Sequence, residues 1–456
     1  MPVCCRCNAT KGFNKFHALE KLKSQPTCKD CIKLGVDVVL SPCVEVEAES
    51  PFTLSPAPTV SEPAKNPPSL DLRETKKKAT SVDDFEFLTV IGKGTFGKVL
   101  MVRLKKTQAI YAMKIISKQF LVDMDSVKYM RSERNIMTKI NHPFVIGLKY
   151  AFQTESKVYL VMEYQPGGEL FSHLKNEGLL LEEKAKFYLA EMVLALEHLH
   201  LQGIIHRDLK PENVLISAEG HVKLTDFGLA KQVNDGDELF TFCGTQEYMA
   251  PEMVLGNGYT SAVDWWSLGA LAYEMLIGRP PFETKNKNRK ELHKKILTAK
   301  LVLPKWLSSD AHSLLKSLLE RNVDKRLGGG KSTMFVVRGV QALKTHPFFR
   351  GIDWTAIEKL QVKPPMIPKV AHETDTHNFD SEFTALPPTD LTCDFDGDND
   401  PFRGFSFCGK DELDDIESLV LHRTRSMSRR ASKEFFDALQ NVSLNDDGNK
   451  SEIQGE

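Results

Sequence analysis

A chain of 456 residues accommodates two or three domains at ~150 residues each, which excludes a peptide hormone, a disulfide-stapled miniprotein and a single small module. Its 60 Lys and Arg against 61 Asp and Glu leave a net charge of -1, so no uniform positive field draws it to nucleic acid, and no stable nucleic-acid partner is expected. Hydrophobic content of 41% is ordinary for a globular protein, and no apolar run approaches the roughly 18 residues of a membrane span.

The first predicted element is a small Cys-rich N-terminal module, residues 1–40. Cys4-x-x-Cys7 and Cys28-x-x-Cys31, twenty residues apart, have the spacing of a four-thiolate Zn2+ site. Zn2+ binding contributes roughly 10 to 16 kcal/mol, enough to fold a module too small for a core of its own. Free thiols, or palmitoylation at Cys4 and Cys5, are the competing readings, and the basic head could meet protein, lipid or nucleic acid. No apolar leader opens the chain, and Pro2 stands where myristoylation needs glycine, so cytoplasm or nucleus is expected. Residues 41–84, with seven prolines between 42 and 68 and few large apolar side chains, read as a disordered linker.

From Phe85 the texture changes. Short β-branched and aromatic runs at 85–91, 99–104 and 109–116 predict a strand meander. Helical periodicity follows at 126–140 and at 182–200, the second with Phe187, Met192, Val193, Leu196 and Leu199 mostly on one face and Gly203 as its stop. Strands followed by helices predict an α+β protein of two lobes with a ligand cleft between them. Beyond Phe349 the periodicity fades, and residues 411–456 end in one acidic and one basic block, a solvated tail.

Ile91-Gly-Lys-Gly-Thr-Phe-Gly-Lys-Val99 is G-x-G-x-x-G-x-V between two strands. Its glycines let backbone N–H groups approach phosphate oxygens closely. Alone, the pattern fits a glycine-rich hairpin turn equally well, and the strand that follows disfavours a Rossmann fingerprint. Tyr111-Ala-Met-Lys114 puts an ammonium inside an apolar strand, where it needs anions; ATP phosphates and Glu133, in the next helical stretch, would supply them. His206-Arg-Asp208-Leu-Lys210-Pro-Glu212-Asn213 and Asp226-Phe-Gly228, closed by Ala250-Pro-Glu252, have the spacing of protein-kinase catalytic and metal-binding loops. Six fixed residues in one octapeptide arise by chance in roughly one such chain in 10^5, at about 1 in 20 per position.

From Phe85 to Phe407 the sequence therefore resembles the AGC group of serine/threonine protein kinases, nearest to protein kinase B and its serum-regulated relatives. The segment from Thr241 to Glu252 looks like an AGC activation segment, and Lys210 favours serine and threonine as acceptors. The resemblance implies a bilobal protein-kinase fold, a small β-rich lobe and a large α-helical lobe, in residues 85–349, and an AGC C-terminal tail in 350–410. It implies ATP held under Ile91, Gly92, Lys93, Gly94, Thr95, Phe96, Gly97, Lys98 and Val99, with Ala112 and Leu215 about the adenine, Met162 as gatekeeper, and backbone groups of Glu163 and Gln165 bonding the ring. Lys114, held by Glu133, fixes the α- and β-phosphates; Asn213 and Asp226 ligate Mg2+; Asp208 orients the acceptor hydroxyl; Lys210 meets the γ-phosphate. A catalytically inactive kinase-fold scaffold is the alternative, although no required catalytic residue is missing.

By the same resemblance Glu169, Glu212 and Glu274 reach the peptide groove, where carboxylates grip arginines upstream of the target; scattered surface glutamates are the bland alternative. Protein substrates and an upstream activating kinase are the expected partners of a monomer, with membrane contact left open. Phosphorylation is expected at Thr241, with Arg207 and Lys231 as counter-ions, at Ser406 within the hydrophobic motif Phe402-Arg-Gly-Phe405-Ser406-Phe407, and at the turn site Thr389, with Thr384 a competitor. Related kinases often carry a histidine where Tyr129 stands. Burying three phenylalanines contributes roughly 4 to 9 kcal/mol while ordering six residues costs roughly 6 to 12, so a phosphate could tip the docking of that motif. Asn378-Phe379-Asp380 resembles the tail segment that reaches the adenine pocket. Ser428 and Ser432 match the Arg-x-x-Ser pattern of a target of this kinase or a close relative, or lie in a plain basic or lipid-binding tail.

Overall fold

The computed structural model describes residues 80–409 apart from 95–96, 235–236, 285, 287, 331–338, 391–394 and 396–399, all within the unit Lys77–Glu456. The Zn2+ ligand set Cys4, Cys7, Cys28 and Cys31, flap residues Thr95 and Phe96, the linker through residue 79, and Ser428 and Ser432 lie outside the described residues.

The predicted meander forms. β1 (Phe85–Gly94), β2 (Gly97–Leu104) and β3 (Ile110–Ser117) pair antiparallel, with Gly94 opposite Gly97 at the first turn and Leu100 opposite Met113. Ser117 then caps α1 (Lys118–Asp123), its hydroxyl accepting from the Phe120 N–H, and α2 (Val127–Met137) follows, within the predicted 126–140. β4 (Leu148–Gln153) and β5 (Lys157–Glu163) close the sheet in the order β1-β2-β3-β5-β4. One face buries Phe85, Val90, Leu100, Tyr111, Tyr150, Phe152 and Tyr159; Phe152 and Tyr159 stack at 4.9 Å.

The large lobe is built from α3 (Leu170–Glu177), α4 (Glu182–Leu201), α5 (Pro251–Val254), α6 (Ala262–Ile277), α7 (Arg289–Thr298), α8 (Ser309–Leu318) and α9 (Gly339–Lys344). Four short strands, β6 (Ile204–Ile205), β7 (Val214–Ile216), β8 (Val222–Leu224) and β9 (Lys231–Gln232), pair as β6 with β9 and β7 with β8. α4 departs from the one-faced reading: residues 187–196 are buried all round, because the helix packs against both α6 and β8 at the centre of the lobe. Gly203, at φ 70°, lies just past its end as expected.

The tail adds α10 (Trp354–Glu358), α11 (Ser381–Thr384) and β10 (Phe407–Cys408). β10 pairs with β4, so the tail contributes a sixth strand to the first lobe's sheet. A two-residue strand has no periodicity to betray it in sequence. Among the described residues, no helix is long and apolar enough to cross a membrane.

Candidate active site

A cavity of about 360 Å³ opens between the lobes. Ile91, Val99, Ala112, Met162 and Leu215 give it apolar walls, Glu163 ends β5 with Gln165 just beyond it, and Lys114, Glu133, Asn213 and Asp226 make its polar end. The sequence anticipates each of these about the nucleotide, and Gly92, Lys93, Gly94 and Lys210 as well; Glu169 and Glu212, expected in the peptide groove, also line this cavity. Gly97 and Lys98 do not line it. A Cβ on Gly97 would stand 1.9 Å from the Ile115 carbonyl oxygen, so that glycine is required by the close approach of β2 to β3; Gly94 faces open space. Met137, Ile146, Tyr164 and Thr225 complete the lining and were not anticipated. Phe379, from the tail, was, and its ring stacks on Tyr164 at 5.8 Å.

The buried ammonium predicted on β3 has its anions: Lys114 Nζ stands 2.8 Å from Glu133 on α2 and 3.3 Å from Asp226. Burial alone would favour the neutral amine, but the two carboxylates outweigh it and hold the Lys114 pKa above its ordinary value. Lys114 in turn holds the Asp226 carboxyl below the usual carboxylate range.

The loop between β6 and β7, expected from its motif to be the catalytic loop, is fixed by a residue that no motif pointed to. Asp264 on α6 is fully buried and accepts from the backbone N–H of His206 (2.9 Å), the backbone N–H of Arg207 (2.8 Å) and His200 Nε2 (2.8 Å). Burial would raise its pKa, yet these donors, His200 foremost, depress it. So held, Arg207 stays at φ 68°, a conformation that is costly for a residue with a side chain, and Asp226, beside Lys114, also lies at positive φ, 61°. Asp208 accepts at Oδ1 from the N–H and hydroxyl of Thr245, both at 2.8 Å, and at Oδ2 from Asn213 Nδ2 at 3.1 Å, while Lys210 Nζ lies 3.0 Å from Asp208 and 2.9 Å from the Thr245 hydroxyl. Thr245 was not singled out in sequence because its partner lies 37 residues earlier.

The three glutamates of the expected peptide groove fall on separate elements. Glu169 precedes α3; burial first, then the charges of Glu212 and Asp380, push its pKa up to about 7 against the pull of Lys210. Glu212 Oε2 is buried with no hydrogen-bond partner among the described residues. Glu274 on α6 accepts from the Tyr248 hydroxyl, and burial pushes its carboxyl up. Thr241 is exposed; its carbonyl oxygen accepts from Tyr259 Oη at 2.8 Å, and Tyr259 accepts from Arg207 Nη1 at 3.1 Å. In the hydrophobic motif Phe402 and Phe405 are buried and Phe407 is half-buried, while Ser406 is exposed. Arg134 on α2 donates to the carbonyl oxygens of Phe405 (3.1 Å) and Ser406 (2.7 Å), and Lys118 pairs with Asp400 at 2.9 Å.

Residues 85–349 match the model of the protein kinase domain, and residues 370–407 that of the protein kinase C terminal domain. The chain belongs to the protein kinase family. The kinase is 47% identical to a RAC family serine/threonine-protein kinase homolog of Dictyostelium discoideum over 74% of each chain. It is 46% identical to ribosomal protein S6 kinase beta of Caenorhabditis elegans over 76% of its own length and 64% of that protein's, and 48% identical to human ribosomal protein S6 kinase alpha-2 over 74% and 46%. With its catalytic domain and tail both matched, this kinase is an AGC serine/threonine kinase, an ATP-dependent phosphotransferase.

Proposed function

We propose that this kinase transfers the γ-phosphate of ATP to serine or threonine placed downstream of arginine, and that Thr241 and Ser406 phosphorylation control it. The observation that carries the arginine preference is Glu212 Oε2, a buried acceptor without a donor among the described residues, beside the half-buried Glu169. A guanidinium supplies paired donors and a further positive charge to such carboxylates.

The cavity fits MgATP. Its apolar walls match a purine in size and character, and Lys114 at the far end is one fixed cation for phosphate oxygens. Asn213 spends its amide N–H groups on Asp208, which leaves its side-chain oxygen, with the Asp226 carboxylate, as hard donors of the type Mg2+ takes. Mg2+ bound there would neutralise phosphate charge. Asp208, oriented by Thr245 and Asn213, accepts a hydrogen bond from the acceptor hydroxyl and aims its oxygen, while Lys210 steadies the γ-phosphate. A dense shell of donors around Asp208 argues for catalysis over the inactive scaffold. The protein-kinase-B-like placement, the turn site at Thr389 and the Zn2+ module of residues 1–40 belong to the same proposal; the last rests on cysteine spacing alone.

The test is kcat/KM for a peptide Arg-x-Arg-x-x-Ser and its arginine-to-alanine partner, with wild type, Glu169→Gln and Glu274→Gln. Wild type is expected to prefer the arginine peptide by roughly 10- to 100-fold, at ~1.4 kcal/mol per tenfold, and each variant to narrow that ratio. Equal turnover of the two peptides by wild type contradicts the arginine reading.

A further inference from the structure

The tail passes the nucleotide cavity and then climbs the small lobe. Tyr164 Oη donates to the Asp375 carbonyl at 2.8 Å, and Asn378 Nδ2 donates to the Pro166 carbonyl at 2.9 Å. The backbone there is so close that a Cβ on Gly168 would stand 2.3 Å from the Asn378 carbonyl oxygen. Phe379 then enters the cavity wall, and α11 packs on β1, the strand that leads into the glycine flap. Phe383 and Leu386 seat against the sheet core. Eleven residues beyond Phe379, Asp390 meets β5, with one carboxylate oxygen on Lys157 Nζ and the other accepting from Tyr159 Oη at 2.7 Å.

Lys157 is 7% exposed, and Tyr159 is stacked on Phe152 in the sheet core, so this docking point is rigid and largely dry. An ammonium so buried is costly without a counter-charge, and Asp390 supplies a fixed one. Thr389, the expected turn-site acceptor, is its neighbour and is exposed.

We propose that Asp390 is a positioning residue for the kinase reaction: its carboxylate latches the tail to Lys157 and Tyr159, and this holds Phe379 in the nucleotide cavity and α11 on β1 without modification of Thr389. The hinge contacts at Asp375 and Asn378 tether Phe379 from one side, and the Asp390 latch tethers it from the other. Breaking the latch frees the outer half of the segment and weakens nucleotide binding, while the atoms that transfer phosphate keep their places.

The inference rests on reading the cavity as the nucleotide site, so its test pairs a kinetic readout with one that needs no turnover. In the full chain, Asp390→Asn and Tyr159→Phe are compared with Asp390→Glu and Thr389→Ala for KM(ATP), kcat and amide exchange across residues 376–386. Asp390→Asn is expected to raise KM(ATP) roughly 5- to 10-fold with kcat within about twofold, and to speed exchange. Tyr159→Phe should move both readouts the same way by less, Asp390→Glu should stay near wild type, and Thr389→Ala should match wild type. Unchanged exchange or unchanged KM in Asp390→Asn, or a loss in Thr389→Ala equal to that in Asp390→Asn, overturns the proposal.

Discussion

The two lobes are held together by different means. The large lobe is tied mainly from within, although the tail's α10 also packs on its α4: Arg326, 1% exposed, makes a two-pronged pair with Glu252 at 2.6 and 2.8 Å over the ring of Trp266, and Asp264 ties α6 to the catalytic loop. The small lobe is finished by residues from far along the chain. Phe402 and Phe405 are buried in the hydrophobic cluster that takes in Leu121 and Met130 of its helices, β10 extends its sheet, and Lys118 and Lys157 find their carboxylates at Asp400 and Asp390. A lobe that supplies its own ties is a constant platform, whereas one completed by a tail is open to control through that tail.

The sharpest break in the shared cleft is Lys114→Met or Asp226→Asn. Each is expected to cost about 10^3-fold or more in kcat/KM, measured by peptide phosphorylation. Next in size is Glu252→Gln. It strands the buried Arg326 and should remove roughly 3 to 5 kcal/mol from the large lobe, seen as a lowered urea midpoint of its transition. Phe402→Ala should instead cost roughly 2 to 4 kcal/mol, confined to the small lobe, with faster exchange in β4 and α2 and an unchanged large-lobe transition. If both substitutions melt both lobes together, the contrast fails.

What the sequence made legible follows the range of each interaction. The meander, α2 and the Lys114 to Glu133 pair were readable because periodicity and motif spacing act over tens of residues. Asp264, Thr245 and Asp390 were not singled out, because each meets partners 37 to 233 residues away that leave no local pattern. The one-faced reading of α4 failed for a related reason, since burial on its other faces is created by α6 and β8. The glycines at 94 and 97 share one motif, yet only the approach of β3 reveals their different duties.

The smallest expected effect concerns pH. The Glu169 carboxyl, raised to about 7, gains a proton as pH falls through neutrality, so the groove loses negative charge toward acid and regains it toward alkali. KM for an arginine peptide should rise roughly 3- to 10-fold from pH 8 to pH 6, within the tenfold that one pKa unit allows, and stay flat for the alanine partner. Parallel changes for both peptides would assign the titration elsewhere.

The central claim is most directly tested by following labelled γ-phosphate from ATP to the serine of an arginine-bearing peptide, using the full chain with Thr241 and Ser406 phosphorylated. Wild type is expected to move label onto that serine, and Asp208→Asn to leave it on ATP. No transfer by wild type, or equal transfer by both proteins, contradicts the account.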